Sequence, residues 1–156
     1  MLDDLKYIHQ RDVQDALGVA EKQWKQYQHS YDFDIENLEL ANLEGVVLAG
    51  MGGSALAAMA LACVPGLGKP LEVIKDYKLP KYVNEKWLLV CSSYSGNTEE
   101  TLSVYKQARG IPAVSRPHMI CVSSGGELAK LARADDVAHI KLPGGLQPRF
   151  TFGYQY

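Results

Sequence analysis

Cys91 to Leu102, reading CSSYSGNTEETL, holds the residues of this 156-residue chain best placed to do chemistry. Ser93, Ser95 and Thr98 put three hydroxyl donors in one short turn. Gly96 removes a side chain where backbone must approach closely, and the segment opens a helix whose first N–H groups have no partner within it. A phosphate satisfies such a set of donors. Glu99 and Glu100 oppose it, since carboxylates in the first turn complement the helix dipole themselves and repel an anion at short range. The structural alternative is a capped turn, with Asn97 or Thr98 as N-cap and Glu100 completing something close to a capping box. Capping leaves Ser92, Ser93 and Ser95 without a purpose, which favours the anion.

The elements that position this turn follow from apolar runs and breakers. From Val13, the positions Ala16, Leu17, Ala20, Trp24 and Tyr27 recur at three- and four-residue steps, predicting one amphipathic helix from Asp12 to about His29, weakened at Gly18. Trp24 and Tyr27 read as core or subunit-interface contacts, and the mixed, acidic stretch Ser30 to Glu44 as a connector with a short helical turn. Gly45 to Ala49 is a first strand, followed at once by Gly50, Met51, Gly52, Gly53 and Ser54 and a helix over Ala55 to Cys63. Leu71 to Lys75 and Trp87 to Cys91 are the next strands, the latter leading into the hydroxyl-rich turn. The helix after that turn buries Leu102, Tyr105 and Ala108 and stops near Gly110 and Pro112. Met119 to Val122 is a fourth strand, running into Ser123, Ser124, Gly125 and Gly126 and a helix to about Arg133, and Val137 to Leu142 is a fifth.

Repeated strand, turn and helix units predict an α/β fold, a five-stranded parallel sheet with right-handed crossovers and helices on both faces. In such sheets ligands lie at the carboxyl ends of strands where the strand order reverses. With the order 2-1-3-4-5, the Gly50 to Ser54 and Ser92 to Thr98 turns face one crevice.

Composition sets bounds on partners. With 47% hydrophobic and 22% charged residues the chain is an ordinary globular core of one domain, and a formal net charge of −2 with scattered basic residues marks neither a nucleic-acid groove nor a polybasic membrane patch. The longest apolar stretch, Ala55 to Val64, is too short to span a bilayer, and MLDDLKYIHQ lacks the order of a signal peptide, so a cytoplasmic location is expected. Cys63, Cys91 and Cys121 read as reduced, buried thiols, and no His or Cys pair has metal-ligand spacing. No cofactor is expected.

The glycine turn has a rival ligand. Gly50, Gly52 and Ala55 match the G-x-G-x-x-A dinucleotide fingerprint, with Asp76 about where a ribose-binding acid would lie, which would make the chain an oxidoreductase domain. That reading leaves Ser93, Ser95 and Thr98 unused. No GxxxxGK[ST] motif occurs.

Taken together, GMGGSA after the first strand, SSYSGNTEETL after the third and SSGGELAKLA after the fourth resemble a sugar isomerase (SIS) domain, a flavodoxin-like three-layer αβα module that binds phosphosugars. LEVIKDYKLPKYV and LPGGLQPRFTFGY look most like bifunctional phosphoglucose/phosphomannose isomerases, and the resemblance runs from about Gly45 to Tyr154. It implies residues 1–44 as a helical segment packing on an SIS domain of residues 45–156. It also implies a hexose 6-phosphate held by Gly53, Ser54, Ser93, Ser95, Thr98 and Arg149. Such enzymes interconvert aldose and ketose phosphates through an enediol, with a glutamate base and a ring-opening histidine from a second SIS domain. That domain is expected to lie outside this chain, so the chain is expected to bind hexose 6-phosphates without isomerising them alone, and to pair as a homodimer or with a second SIS domain. A non-catalytic sugar-phosphate sensor is the other reading of the same resemblance. His9, His29, His118 and His139 belong to no binding motif and read as structural or solvent-exposed. The chain departs from the family pattern at Ala57, Ala58 and Met59, at Glu127, and at Phe150, Thr151 and Phe152.

Overall fold

A computed structural model describes residues 4–31 and 42–156. Five short apolar runs form the parallel strands β1 (Gly45–Gly50), β2 (Leu71–Ile74), β3 (Trp87–Ser92), β4 (His118–Ser123) and β5 (Ala138–Lys141). Their order is β2-β1-β3-β4-β5, the order in which the turns after the first and third strands share one crevice. Each observed strand agrees with its expected run to within one residue at either end. The register pairs Gly50 with Ser92, so the loops after β1 and β3 leave the sheet side by side.

Strand residues alternate between faces. Val47, Ala49, Leu89, Cys91, Met119 and Cys121 point one way and are buried. They meet Val104, Tyr105 and Ala108 of α4 (Glu99–Gly110) and Leu128 and Ala132 of α5 (Gly126–Ala134). Thr101 and Val104 are more deeply buried on α4 than the expected Leu102. On the other face Val46, Leu48, Val90 and Val122 line a cavity of about 160 Å³ beneath α3 (Gly53–Ala62) and the C-terminal α6 (Phe152–Gln155). After Ser54, α3 has no polar residue, and its Leu56 and Met59 stay exposed.

The N-terminal segment corrects the expected single helix. It divides into α1 (Leu5–Arg11), α2 (Ala16–Glu21) and a 3₁₀ helix over Gln23–Gln28. The Asp12 carboxylate accepts from the N–H groups of Ala16 and Leu17 at 2.8 and 2.9 Å, capping α2 from outside it. Those two bonds hold the Asp12 carboxyl below the usual carboxylate range. Asp15 adopts a left-handed backbone at φ 50°, which ends helical continuity. Asp side chains that bond nearby backbone offer an alternative to the helix, and here they prevail over its apolar periodicity.

Trp24 and Tyr27 are exposed, correcting their assignment as core contacts of this chain. In the 3₁₀ turn side chains three apart eclipse, and the face turned inward is that of Gln26, which is buried and donates through Nε2 to Phe150 O at 2.5 Å. The connector expected over Ser30 to Glu44 lies largely outside the described residues.

Among the cysteines, Cys91 and Cys121 are buried and registered opposite each other, and burial pushes both thiols up. Cys63 corrects the expectation of three buried thiols. It caps the C-terminus of α3, past the part of the helix that the sheet covers, and is exposed. An aromatic disulfide reagent added to the native chain is therefore expected to titrate one thiol quickly and the other two only on denaturation. Rapid reaction of two or three would contradict this packing.

Candidate functional site

The loop after β3 is drawn tight by its own hydroxyls. Ser93 Oγ donates to Thr98 Oγ1 at 2.8 Å and accepts from the Thr98 N–H at 3.3 Å, while Ser95 Oγ accepts from the Asn97 N–H at 3.2 Å. Ser93 is fully buried, Thr98 half-buried and Ser95 exposed. Thr98 occupies the N-cap position of α4 without making a side-chain capping bond. The capping box anticipated around Asn97 and Glu100 does not form. Instead the Asn97 side-chain Oδ1 accepts from the Glu127 N–H of α5 at 3.0 Å. Gly96, at φ 71°, lies so close to the loop after β4 that a Cβ there would meet Gly125 O at 1.8 Å.

The loop after β1 joins the same place. Ser54, on the first turn of α3, is buried. Its hydroxyl accepts from the Tyr94 N–H at 2.9 Å and its carbonyl accepts from Ser92 Oγ at 3.0 Å. Gly53 opens α3 against the backbone of the Pro148–Phe150 turn. A Cβ on it would stand 2.5 Å from Pro148 C and 2.6 Å from Arg149 N. Arg149 is exposed, and among the described residues it has no ion-pair partner. Thus Gly53, Ser54, Ser93, Thr98 and the Arg149 backbone belong to one packed assembly, with Ser95 at its exposed rim.

Electrostatically the assembly has two sides. The N-terminus of α4 and Arg149 are positive, and Glu99 and Glu100 are the opposing charges in the first turn of α4. Glu99 Oε2 lies 3.4 Å from the Tyr77 hydroxyl, and Glu100 first, with burial and Glu99 adding, raises the Tyr77 phenol. A neutral donor therefore faces the nearer carboxylate.

The residue that sequence reasoning passed over is Tyr94. It is 6% exposed, and each of its backbone and side-chain polar groups is engaged with a different neighbouring loop. Its place amid serines and a glycine was the available signal, because a large ring in a turn otherwise built of small residues must pack somewhere.

The histidines stand apart from this assembly's hydrogen bonds, with one near approach. His139 Nε2 lies 2.8 Å from Ser123 Oγ, which itself donates to Gly125 O. Burial first, then Arg133 and Lys141, lower the His139 imidazole below its ordinary value. His29 packs edge-on to Tyr31 and Tyr154. Among the described residues no cluster of His, Cys, Asp or Glu is arranged to hold a metal ion, and no helix is long and apolar enough to cross a membrane.

Comparison with known proteins adds to the geometry. The chain is 38% identical over 144 residues to a bifunctional phosphoglucose/phosphomannose isomerase of Caldicellulosiruptor bescii, covering 90% of this chain and 41% of that protein. It is 39% identical over 121 residues to the protein of the same name from Aquifex aeolicus, covering 74% and 36%. Over most of its length the chain is similar to the N-terminal part of proteins named bifunctional phosphoglucose/phosphomannose isomerase. It spans about two fifths of the length of these curated isomerases. No family model matches it. Among solved structures, tagatose-6-phosphate ketose/aldose isomerase from Escherichia coli superposes with a TM-score of 0.59 at 15% identity, over 92% of this chain and 42% of that one, a likeness of fold. The five-stranded parallel sheet with helices around it is the fold that this chain shares with that solved isomerase.

Proposed function

We propose that residues 45–156 form the phosphosugar-binding domain of a glucose-6-phosphate/mannose-6-phosphate isomerase, with the N-terminal segment packed on it. The observation that carries this reading is the convergence of three chain segments: the start of α3, the Ser93 to Thr98 loop and the Arg149 turn. The relatives' names supply the substrate class.

In this reading Ser95, Thr98 and Arg149 meet the phosphate of a hexose 6-phosphate with the first N–H groups of α4. Gly53 allows the arginine turn to close on α3. Ser54 and Ser93, buried and already bonded to Tyr94 and Thr98, hold the cradle's shape. Hydroxyl and amide donors with one guanidinium suit a dianion, the arginine adding charge and a two-pronged fork. Bonds to a charged group are each worth about 1.5–3 kcal/mol before ordering costs, so a handful suffices for roughly micromolar to millimolar affinity.

Isomerisation needs in addition a base at C1 and C2 and a group to open the ring. None of the residues proposed here has that role, and the pairing of this domain with a second one, or with its own copy, is part of the proposal. The chain alone is expected to bind without turning substrate over.

Thermal melting tests this directly. Fructose 6-phosphate and glucose 6-phosphate are expected to raise the melting temperature of the chain by a few degrees at saturating concentration, and Ser95→Ala and Arg149→Ala to abolish most of that rise. A shift with NADH and none with phosphosugars would favour the dinucleotide reading of Gly50, Gly52 and Ala55. Robust isomerase activity of the isolated chain would refute the division of labour.

A further inference from the structure

Tyr94 places its hydroxyl inside a turn to which it does not belong. The phenol donates to Pro143 O at 2.9 Å and accepts from the Leu146 N–H at 3.0 Å. The bond that usually closes a four-residue turn, from the fourth N–H to the first carbonyl, is thus relayed through a side chain from the loop after β3. Gly145, at φ 90°, supplies the left-handed residue this turn requires. The turn leads directly into Gln147, Pro148 and Arg149. At its other end Tyr94 gives its N–H to Ser54 Oγ, and its carbonyl accepts from the N–H and Oγ of Ser124 at 2.9 and 2.7 Å. One buried residue therefore ties the loops after β1 and β4 and the arginine arm to the cradle loop.

We infer that Tyr94 is a positioning residue for the anion site, its hydroxyl setting where Arg149 stands relative to Ser95 and Thr98. The inference rests on the phosphosugar reading above and deepens it. The ring alone would fill the same space, so the hydroxyl is the part that acts. Without it a carbonyl and an N–H held apart by the phenol lose their partner, and the Pro143–Leu146 turn must reclose or open. Either change moves the arm that follows. No contact between Tyr94 and the ligand is required.

The test compares Tyr94→Phe, Arg149→Ala and the double variant by calorimetric titration with fructose 6-phosphate, alongside hydrogen exchange of the unliganded proteins. Tyr94→Phe is expected to bind about tenfold more weakly than the wild type. In the Arg149→Ala background the same change is expected to add less than about twofold, because it acts through the arginine. Exchange is expected to quicken at amides 144–150 and to stay unchanged in the sheet. A general packing defect would make the losses multiply and spread the faster exchange, and that result overturns the proposal. Wild-type affinity in Tyr94→Phe, or unchanged exchange at 144–150, overturns it equally. A wild-type chain that binds no phosphosugar refutes the underlying reading instead, and exchange at 144–150 then decides by itself whether Tyr94 holds the turn.

Discussion

Gly96→Ala is expected to lower the unfolding free energy by about 2–5 kcal/mol in urea denaturation. Two costs combine. The backbone at φ 71° is left-handed, which disfavours any side chain by roughly 1–2 kcal/mol. The added methyl would also stand 1.8 Å from Gly125 O and 2.8 Å from Gly125 C, and backbone cannot rotate away as a side chain can. Overpacking of this kind costs about 1–3 kcal/mol even after relaxation. The loop cannot simply retreat, since Gly96 O accepts from the Leu128 N–H and Gly96 N–H donates to Ser93 O, both at 2.9 Å. Against a total stability of about 5–15 kcal/mol, the loss is large enough to leave part of the protein unfolded near body temperature. Gly110→Ala is the matched control. A methyl there meets nothing within 4 Å, at the end of α4, and stability is expected to change by less than about 1 kcal/mol. Equal stability of the two variants would show that the loops after β3 and β4 do not pack as described.

Gly53→Ala has the second largest expected effect, and it falls on binding more than on stability. Gly53 is the first residue of α3 and its φ is not left-handed, so alanine suits the helix and offsets part of the clash. The clash itself is with Pro148 C, Pro148 O and Arg149 N at 2.5–2.6 Å. Relief comes most cheaply by moving the Pro148–Phe150 turn, which is largely exposed, rather than α3, which is packed on the sheet. Arg149 then moves with its backbone. A displacement of about 1 Å degrades a bidentate contact, and affinity for fructose 6-phosphate is expected to fall at least about tenfold, read by calorimetry, while the melting temperature drops only a few degrees. Unchanged affinity would remove the Arg149 turn from the site.

These two glycines illustrate how differently the site could be read beforehand. Both stand in motifs that the sequence singles out, GMGGSA and SSYSGNTEETL. What each glycine must avoid was not legible, because Gly125 and Pro148 come from later segments brought in by the sheet's crossovers. The same holds for Asn97, whose side-chain Oδ1 caps a helix in the next βα unit instead of its own.

Where the sequence misled, local periodicity competed with an interaction it does not encode. The apolar spacing of Ala16, Leu17, Ala20, Trp24 and Tyr27 is helical, yet Asp12 and Asp15 divide the segment and the 3₁₀ turn buries Gln26 in place of the aromatics. Gln26 is turned inward by a tertiary partner, the carbonyl of Phe150, and Gly153 leaves room for it. Cys63 sits in an apolar run and is exposed all the same, because that run outlasts the surface available to cover it.

By itself the sequence determined the five strands, the turns that follow β1, β3 and β4, and the similarity to sugar-phosphate isomerases. Those features depend on short-range patterns: apolar runs of strand length, glycines that permit sharp turns, and hydroxyls clustered at a helix start. Only the tertiary structure decided which hydroxyls are exposed and which are bonded into the frame, and that Tyr94 joins the cradle to the arginine arm. A hydroxyl has no directional preference along the chain, so its partner is set by whichever loop the fold brings within about 3 Å.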